Sequence, residues 1–163
     1  MTETDTKIEP NLVLNSVKAT QINYRNAVAA NIQNERAAII KDMTISAKIY
    51  RKGESDVLYE STQKSLRMAP NTNFNFGVGL DNKPFKPGTY LFKGVAKAGD
   101  KKWVLNKEFT IKGDEAKDFN KKAVELDVDY TWIYILCGAI VIVILVGIIL
   151  FLMYRLKRKS KGE

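Results

Sequence analysis

Apolar and polar residues alternate with a period of two along most of the chain before residue 112, the pattern of half-buried β-strands. In MTISAKIY, residues 43–50, every second side chain is apolar and the intervening ones are polar or charged. The same alternation predicts further strands over residues 12–19, 27–34, 56–61, 73–78, 89–97 and 102–111. The chain is therefore expected to form about seven short strands.

Turn sequences separate these strands, and no helical pattern alternates with them. NYRN, RKGES and AGDK carry Asn, Gly and Asp where tight turns need them. We therefore predict an all-β domain over residues 10–112, an immunoglobulin-like antiparallel β-sandwich. In KPGTY, Tyr90 is either a corner tyrosine that bonds back to the chain or an interior residue after a plain turn at Pro87 and Gly88, and the sequence leaves both open.

The stretch RMAPNTNFNF, residues 67–76, raises a question of recognition. Pro70 cannot donate a backbone hydrogen bond, so it ends the preceding segment, and Asn71 is expected to supply turn hydrogen bonds. In the strand that follows, Phe74 and Phe76 should point inward, and Asn73 and Asn75 outward. Asn71, Asn73 and Asn75 are the candidate protein-binding residues, with an ordinary solvated face as the alternative.

Residues 113–130 are predicted to form a short helix and a linker. Asp114 is placed where a helix cap is expected, and Ala116 and Phe119 lie on the side that would pack against one end of the sandwich. Residues 131–154 contain no charged side chain. A helix from Trp132 to Tyr154 would span roughly 34 Å, so we predict a single transmembrane helix, with Trp132, Tyr134 and Tyr154 at the membrane interfaces.

The tail, residues 155–163, sets the predicted orientation. Its basic residues are Arg155, Lys157, Arg158, Lys159 and Lys161, and such a concentration places it in the cytoplasm and the domain outside the cell. Residues 1–9 are expected to be a disordered stub that lacks the charged and apolar regions of a signal peptide. Either an export signal lies upstream of Met1, which we favour, or the domain stays inside and the last helix is a tail anchor.

Composition limits the chemistry. The chain has no histidine, and its one cysteine, Cys137, lies in the apolar run, so we expect no enzyme activity, no disulfide, no metal site and no cofactor. The carboxylate pairs Glu54/Asp56 and Asp114/Glu115 match no calcium loop. The net charge of +8 owes much to the tail, and no basic, aromatic-interleaved face indicates nucleic-acid binding.

Several segments together resemble WxL-interacting proteins, a family of Gram-positive surface proteins. They are PNLVLNSVKATQINYRNAVAANIQN, MAPNTNFNF, KPGTYLF, KKWVLNKEFTI and EAKDFNKKAVEL, followed by an apolar run and a basic tail. The resemblance is to the membrane-proximal, host-binding domain, which in that family follows a peptidoglycan-binding domain. It implies a membrane-anchored partner for secreted WxL-domain proteins at the cell wall, with adhesion to host matrix as a further role. An accessory subunit of a transporter or signalling complex is the alternative function.

Overall fold

The computed structural model of the protein describes residues 8–127 and 130–159, except for the side chains of residues 132, 150–152 and 154–159. The chain divides into two compact units, Met1–Asp127 and Val128–Glu163, which are described separately. The strands of the first unit are β1 (Leu12–Ile22), β2 (Arg25–Asn34), β3 (Ile40–Arg51), β4 (Val57–Met68), β5 (Asn73–Gly79), β6 (Gly88–Ala98) and β7 (Lys101–Ile111). The helices are α1 (Gly113–Lys122) in the first unit and α2 (Thr131–Lys159) in the second.

The strands form two antiparallel sheets. The smaller sheet has the order β1-β2-β5, and the larger has the order β4-β3-β6-β7. Both sheets include pairs of strands that are distant in sequence: Asn31 of β2 lies opposite Asn75 of β5, and Ile49 of β3 lies opposite Phe92 of β6. The all-β class and the two-sheet arrangement predicted from the sequence are confirmed.

The core lies between the sheets and is built from the inward-facing half of each alternating strand. Its most deeply buried large side chains are Phe76, Phe92, Ile32, Ile40, Met43, Ile45 and Ile49. Phe74 is partly buried and packs against this cluster, and Trp103 does the same from β7. The inward direction predicted for Phe74 and Phe76 is therefore confirmed.

β4 is about twice as long as the segment predicted from residues 56–61. It is an edge strand, and most of its side chains are exposed. Its middle part, residues 61–65, reads STQKS, with polar residues on both faces, so the alternation that marks a half-buried strand is absent there. The pairing of β3 with β4 also shifts register between Met43 and Ile45, and Ser65 has a positive φ of 56°. Both features are typical of a β-bulge at a sheet edge.

Tight turns occur where the sequence predicted them. Asn23 and Tyr24 join β1 to β2 with φ values of 52° and 59°, as a two-residue type I′ turn requires. Asn71 has a φ of 53° after Pro70, and its backbone N–H donates to the Arg36 carbonyl oxygen at 3.3 Å. Within the described residues its side chain makes no hydrogen bond, and the Thr72 hydroxyl instead donates to the Ala69 carbonyl oxygen at 2.8 Å. The turn hydrogen bonds predicted for the Asn71 side chain are therefore supplied by Thr72.

The sequence left two interpretations of Tyr90 open, and the structure shows that it is a corner tyrosine. Its hydroxyl donates to the Lys86 carbonyl oxygen at 2.7 Å, four residues upstream, and its ring stacks on Phe109 with centroids 5.6 Å apart. The bond ties the start of β6 to the loop before it.

α1 packs against one end of the sandwich through Ala116, which is buried, and Phe119, whose ring lies 5.6 Å from that of Phe85. The prediction that Asp114 caps the helix is wrong. The N-cap is Lys112, whose backbone N–H donates a hydrogen bond to the Glu115 carboxylate at 3.4 Å. The helix starts early because Ile111 ends β7 in the core and Ala116 must reach the core within the next turn. Asp114 lies in the first turn, where its charge still suits the helix dipole.

The second unit contains the helix α2, Thr131–Lys159. Among the residues that the structure describes, no helix meets the length and apolarity criteria for a membrane span. Of the predicted interfacial aromatics, Tyr134 is exposed, whereas the side chains of Trp132 and Tyr154 lie outside the described ones. The same holds for the side chains of Arg155, Lys157, Arg158 and Lys159, and Lys161 lies outside the described residues altogether. The membrane role of this unit stays a prediction.

Candidate functional site

The outer face of the β1-β2-β5 sheet carries five amide side chains, which we call the amide face: Asn15, Asn31, Gln33, Asn73 and Asn75. They point outward because the alternate positions on β2 and β5 are filled by core residues such as Ile32 and Phe76. All three strands contribute, since β2 lies between β1 and β5. The face is therefore created by the strand order.

Hydrogen bonds join these amides across the sheet. Asn31 Nδ2 donates to Asn73 Oδ1 at 3.1 Å and to Asn75 Oδ1 at 2.9 Å. From the other side, Asn15 Nδ2 donates to Asn31 Oδ1 at 3.0 Å and to Gln33 Oε1 at 2.8 Å. Asn31 thus links all three strands, and each amide has its orientation set by a neighbour.

A β-bulge positions Asn15. The pairing of β1 with β2 shifts between Leu14 and Ser16, which leaves Asn15 without an opposite residue. Its carbonyl oxygen accepts a hydrogen bond from Lys107 Nζ at 2.6 Å, which links β1 to β7 of the other sheet. A bulge of this kind redirects a side chain at a sheet edge, and here it brings Asn15 within reach of Asn31 and Gln33.

Next to the amide face, an open groove of about 730 Å³ runs over the end of the same sheet. Its lining includes Asn75, Gly77, Gly79 and Ala27, with Gln63 of β4 and the Ile22 side chain beside them. Gly77 and Gly79 follow Asn75 on the outward side of β5, so the strand has no side chain there. The amide face and this groove meet at Asn75.

The two glycines differ in what covers them. A Cβ atom on Gly77 would lie 2.6 Å from Ile22 Cδ1, so the space at Gly77 is already filled by a side chain of this chain. A Cβ on Gly79 would meet nothing within 4 Å. The Ile22 side chain therefore covers Gly77, whereas Gly79 leaves the backbone of β5 open to a ligand.

The chemistry of this surface is uncharged hydrogen bonding. Each amide offers two N–H donors and a carbonyl acceptor, the same groups that a peptide backbone presents. The groups whose pKa is displaced lie elsewhere: burial raises the pKa of the Tyr59 hydroxyl, with Tyr90 and Asp81 adding to the effect. Burial also raises the pKa of Tyr90 itself, although the Arg51 guanidinium opposes this. The amide face can therefore bind a polar chain, and it offers no group suited to proton transfer.

No cluster of histidine, cysteine, aspartate or glutamate that could hold a metal ion occurs among the described residues.

The structure brings two of the three predicted binding residues to one face and separates the third. Asn73 and Asn75 lie on the amide face, whereas Asn71 lies in the turn that precedes β5. Sequence reasoning missed Asn15, Asn31 and Gln33. The alternation of NIQN on β2 marks Asn31 and Gln33 as outward-facing, but only the pairing of β2 with β5 shows that they meet Asn73 and Asn75.

A family model described as WxL Interacting Protein, host binding domain, matches residues 1–121 of the chain. No curated protein matches it.

Several solved structures are similar at low identity. A β-glucuronidase from glycoside hydrolase family 2 is 16% identical over 62% of this chain and 12% of its own, with a TM-score of 0.40. The ligand binding region of serine-glutamate repeat protein A of Enterococcus faecium is 6% identical over 60% of this chain and 89% of its own, with a TM-score of 0.37. A protein from Archaeoglobus fulgidus is 14% identical over 61% and 98%, with a TM-score of 0.35. The chain spans only a small part of the β-glucuronidase, and at these TM-scores the likenesses carry no argument about function.

Proposed function

Since the chain belongs to the host-binding-domain family of WxL interacting proteins, we propose that it is a surface binding module that docks an extended segment of a WxL-domain protein across its amide face. The observation that carries this proposal is the double hydrogen bond from Asn31 to Asn73 and Asn75. It orders the outward side chains of the edge strand before any partner arrives. Binding by such a surface loses less side-chain entropy than binding by free rotamers.

The partner's chemistry follows from that of the surface. An extended peptide presents N–H and C=O groups in alternation, and asparagine side chains match both. Edge strands such as β5 are also common sites at which a partner strand aligns. The exposed backbone at Gly79 allows close approach at one end of the path. These features favour a polypeptide partner and a binding role rather than catalysis.

We also propose that the sandwich is of the immunoglobulin-like type. In immunoglobulin-like domains the first, second and fifth strands share one sheet, and the third, sixth and seventh share the other. The orders β1-β2-β5 and β4-β3-β6-β7 agree with that division, with β4 added beside β3. The corner tyrosine Tyr90 at the start of β6 supports the same assignment.

We propose further that residues 131–154 anchor the module in the cell membrane as a single pass, with the domain outside and the basic tail in the cytoplasm. The support is the charge-free run and the one-sided basic tail. The chain would be expressed behind a signal peptide, with a tag after Glu163, and protoplasts treated with external protease. We expect digestion of the domain and survival of the tag. Protection of the domain would contradict the outside assignment.

The docking proposal is tested by titrating a purified WxL-domain protein against the full chain in nonionic detergent. Replacing Asn73 and Asn75 together by alanine should weaken the affinity by about tenfold or more, which is about 1.4 kcal/mol. The same variant should lose less than about 1 kcal/mol of unfolding free energy, because exposed substitutions usually cost at most about 0.5 kcal/mol each.

Asn106→Ala is the matched control. Asn106 is exposed on β7 of the other sheet, and its side chain makes no hydrogen bond among the described residues. The control should bind the WxL-domain protein as the unaltered chain does. If the double variant also keeps full affinity and stability, the amide face is solvated surface with no role in recognition.

A further inference from the structure

Four lysines on the outer face of the larger sheet form a group that we call the lysine face: Lys48, Lys93, Lys97 and Lys102. All four are exposed and point away from the core, since Ile49, Phe92 and Ala96 fill the inward positions beside them. The surface lies on the opposite sheet from the amide face. Nothing in the proposed docking function uses it.

The four lysines form two directly opposed pairs. Lys48 of β3 lies opposite Lys93 of β6, and Lys97 of β6 lies opposite Lys102 of β7. Side chains at such positions are neighbours, and like charges placed there destabilise the sheet. An anion bound at either pair would reduce this repulsion.

The pairs differ in how far the domain itself relieves them. Lys48 Nζ lies 3.4 Å from Glu60, and Lys93 Nζ lies 4.7 Å from the centre of the Tyr50 ring. Lys97 and Lys102 have no acidic or aromatic partner among the described residues. An external anion is therefore expected to bind more favourably at the Lys97 and Lys102 pair.

An apolar step separates the two pairs. Val95 lies opposite Val104 midway between them, and Val104 is 62% exposed. Lys93 and Lys97 are four positions apart on β6, which corresponds to roughly 13 Å. The face thus presents positive charge, then hydrocarbon, then positive charge along the direction of the strands. It is complementary to a polymer in which anionic groups recur along the chain, separated by uncharged segments.

We propose that the lysine face binds a linear phosphodiester-linked polyol polymer, with phosphates at the two lysine pairs and the intervening stretch of the polymer over Val95 and Val104. Lysine ammonium groups act as point charges and make no planar, bidentate contact, so they suit a flexible phosphate chain. The interaction is electrostatic and releases counterions, which makes it weaker as salt rises.

The test is a titration of the full chain in nonionic detergent with purified poly(glycerol phosphate) at several salt concentrations. Replacing Lys97 and Lys102 together by glutamine should lower the affinity about tenfold and reduce the salt slope by roughly 1.5. Because the variant removes a repulsive pair, its melting temperature should hold or rise by about 1 to 3 °C. A loss of binding cannot then be attributed to unfolding.

Lys117→Gln with Lys121→Gln is the matched control, since it removes the same charge from exposed positions on α1. It should keep nearly full affinity for the polymer. An equal loss in the control would overturn the proposal, because binding would then follow net charge alone. Tighter binding of heparin at equal charge concentration, or of anionic lipid vesicles, would overturn the choice of a phosphodiester polymer.

Discussion

Asn26 Nδ2 donates a hydrogen bond to Asn120 Oδ1 at 2.9 Å and thereby joins the β1–β2 hairpin to α1. Asn26 is only 2% exposed. Asn120 also bonds both backbone groups of Phe85, accepting from its N–H at 2.8 Å and donating to its carbonyl oxygen at 3.0 Å. One asparagine on α1 therefore satisfies three buried or half-buried polar groups at the closed end of the sandwich.

Asn120→Ala should consequently destabilise the domain well beyond the usual effect of a surface change. It removes the Asn120 side chain from Asn26 and from both backbone groups of Phe85, residues that are buried, a loss of about 1 to 3 kcal/mol. Equilibrium urea unfolding of the full chain in detergent measures it. Asn106→Ala makes the same chemical change at an exposed site and should stay within about 0.5 kcal/mol. Equal stability of the two variants would show that the Asn120 network contributes nothing.

The sequence predicts most of the strands because seven segments each have to bury one face. It predicts inward Phe74 and Phe76 for the same reason, and the packing of Ala116 and Phe119 from the helical period. The prediction that Asp114 caps α1 was wrong. The packing of Ala116 in the core soon after Ile111 outweighs the local capping preference of Asp114. A tertiary requirement of this kind leaves no mark in the local sequence.

The amide face could be predicted only in part. Asn73 and Asn75 follow from alternation on one strand, but their partner Asn31 lies on a strand more than forty residues away. Only the topology, in which β5 joins β2 rather than its neighbour β4, brings them together. Asn15 depends in addition on a bulge that its sequence does not indicate.

Phe76→Ala and Phe74→Ala should differ in cost although the residues are two positions apart on β5. Phe76 is fully buried, and deleting its ring should cost about 3 to 5 kcal/mol. Phe74 is only partly buried at the margin of the core, so its deletion should cost less, about 1 to 3 kcal/mol. Urea unfolding of both variants decides the order. A greater loss for Phe74→Ala would mean that the core is centred nearer the start of β5.

Alkaline pH should destabilise the domain through Tyr59 and Tyr90, whose pKa values are both raised chiefly by burial. A tyrosine pKa that is higher in the folded than in the unfolded state favours folding while the hydroxyl is protonated. Its contribution is complete below the ordinary pKa of about 10 and is lost as the pH rises through the raised folded value. Unfolding free energies at about pH 8 and about pH 11 should therefore differ.

Tyr59→Phe with Tyr90→Phe identifies the source of that pH dependence. The double variant should be less stable at about pH 8, because the bond from Tyr90 to the Lys86 carbonyl is worth about 0.5 to 1.5 kcal/mol. It should, however, lose less stability than the unaltered chain on going to about pH 11. Tyr24→Phe is the control, since Tyr24 is 72% exposed. An unchanged pH dependence in the double variant would assign the alkaline loss to other groups.

Gly77 and Gly79 differ in what an added side chain would meet. Gly77→Ala would place a Cβ 2.6 Å from Ile22 Cδ1, the far end of a half-exposed side chain that can move aside, so it should cost less than about 1 kcal/mol, and Ile22→Ala in the same chain should remove that cost. Gly79→Val meets open space and gains strand propensity, so stability should hold or rise by up to about 1 kcal/mol.

The affinity for the WxL-domain protein tests whether the open backbone at Gly79 is part of the docking surface. Because the valine methyl groups would project into the groove at the Gly79 end of β5, Gly79→Val should weaken WxL-domain binding by about tenfold, or about 1.4 kcal/mol, while the fold is intact. The Ile22→Ala, Gly77→Ala chain, in which a methyl group replaces the displaced isoleucine, should bind more nearly as the unaltered chain does. Titration of the WxL-domain protein against both variants, alongside their urea unfolding curves, measures the difference. Full affinity in Gly79→Val would mean that no partner backbone approaches β5 at this point, and the docking path would then have to end at the amides.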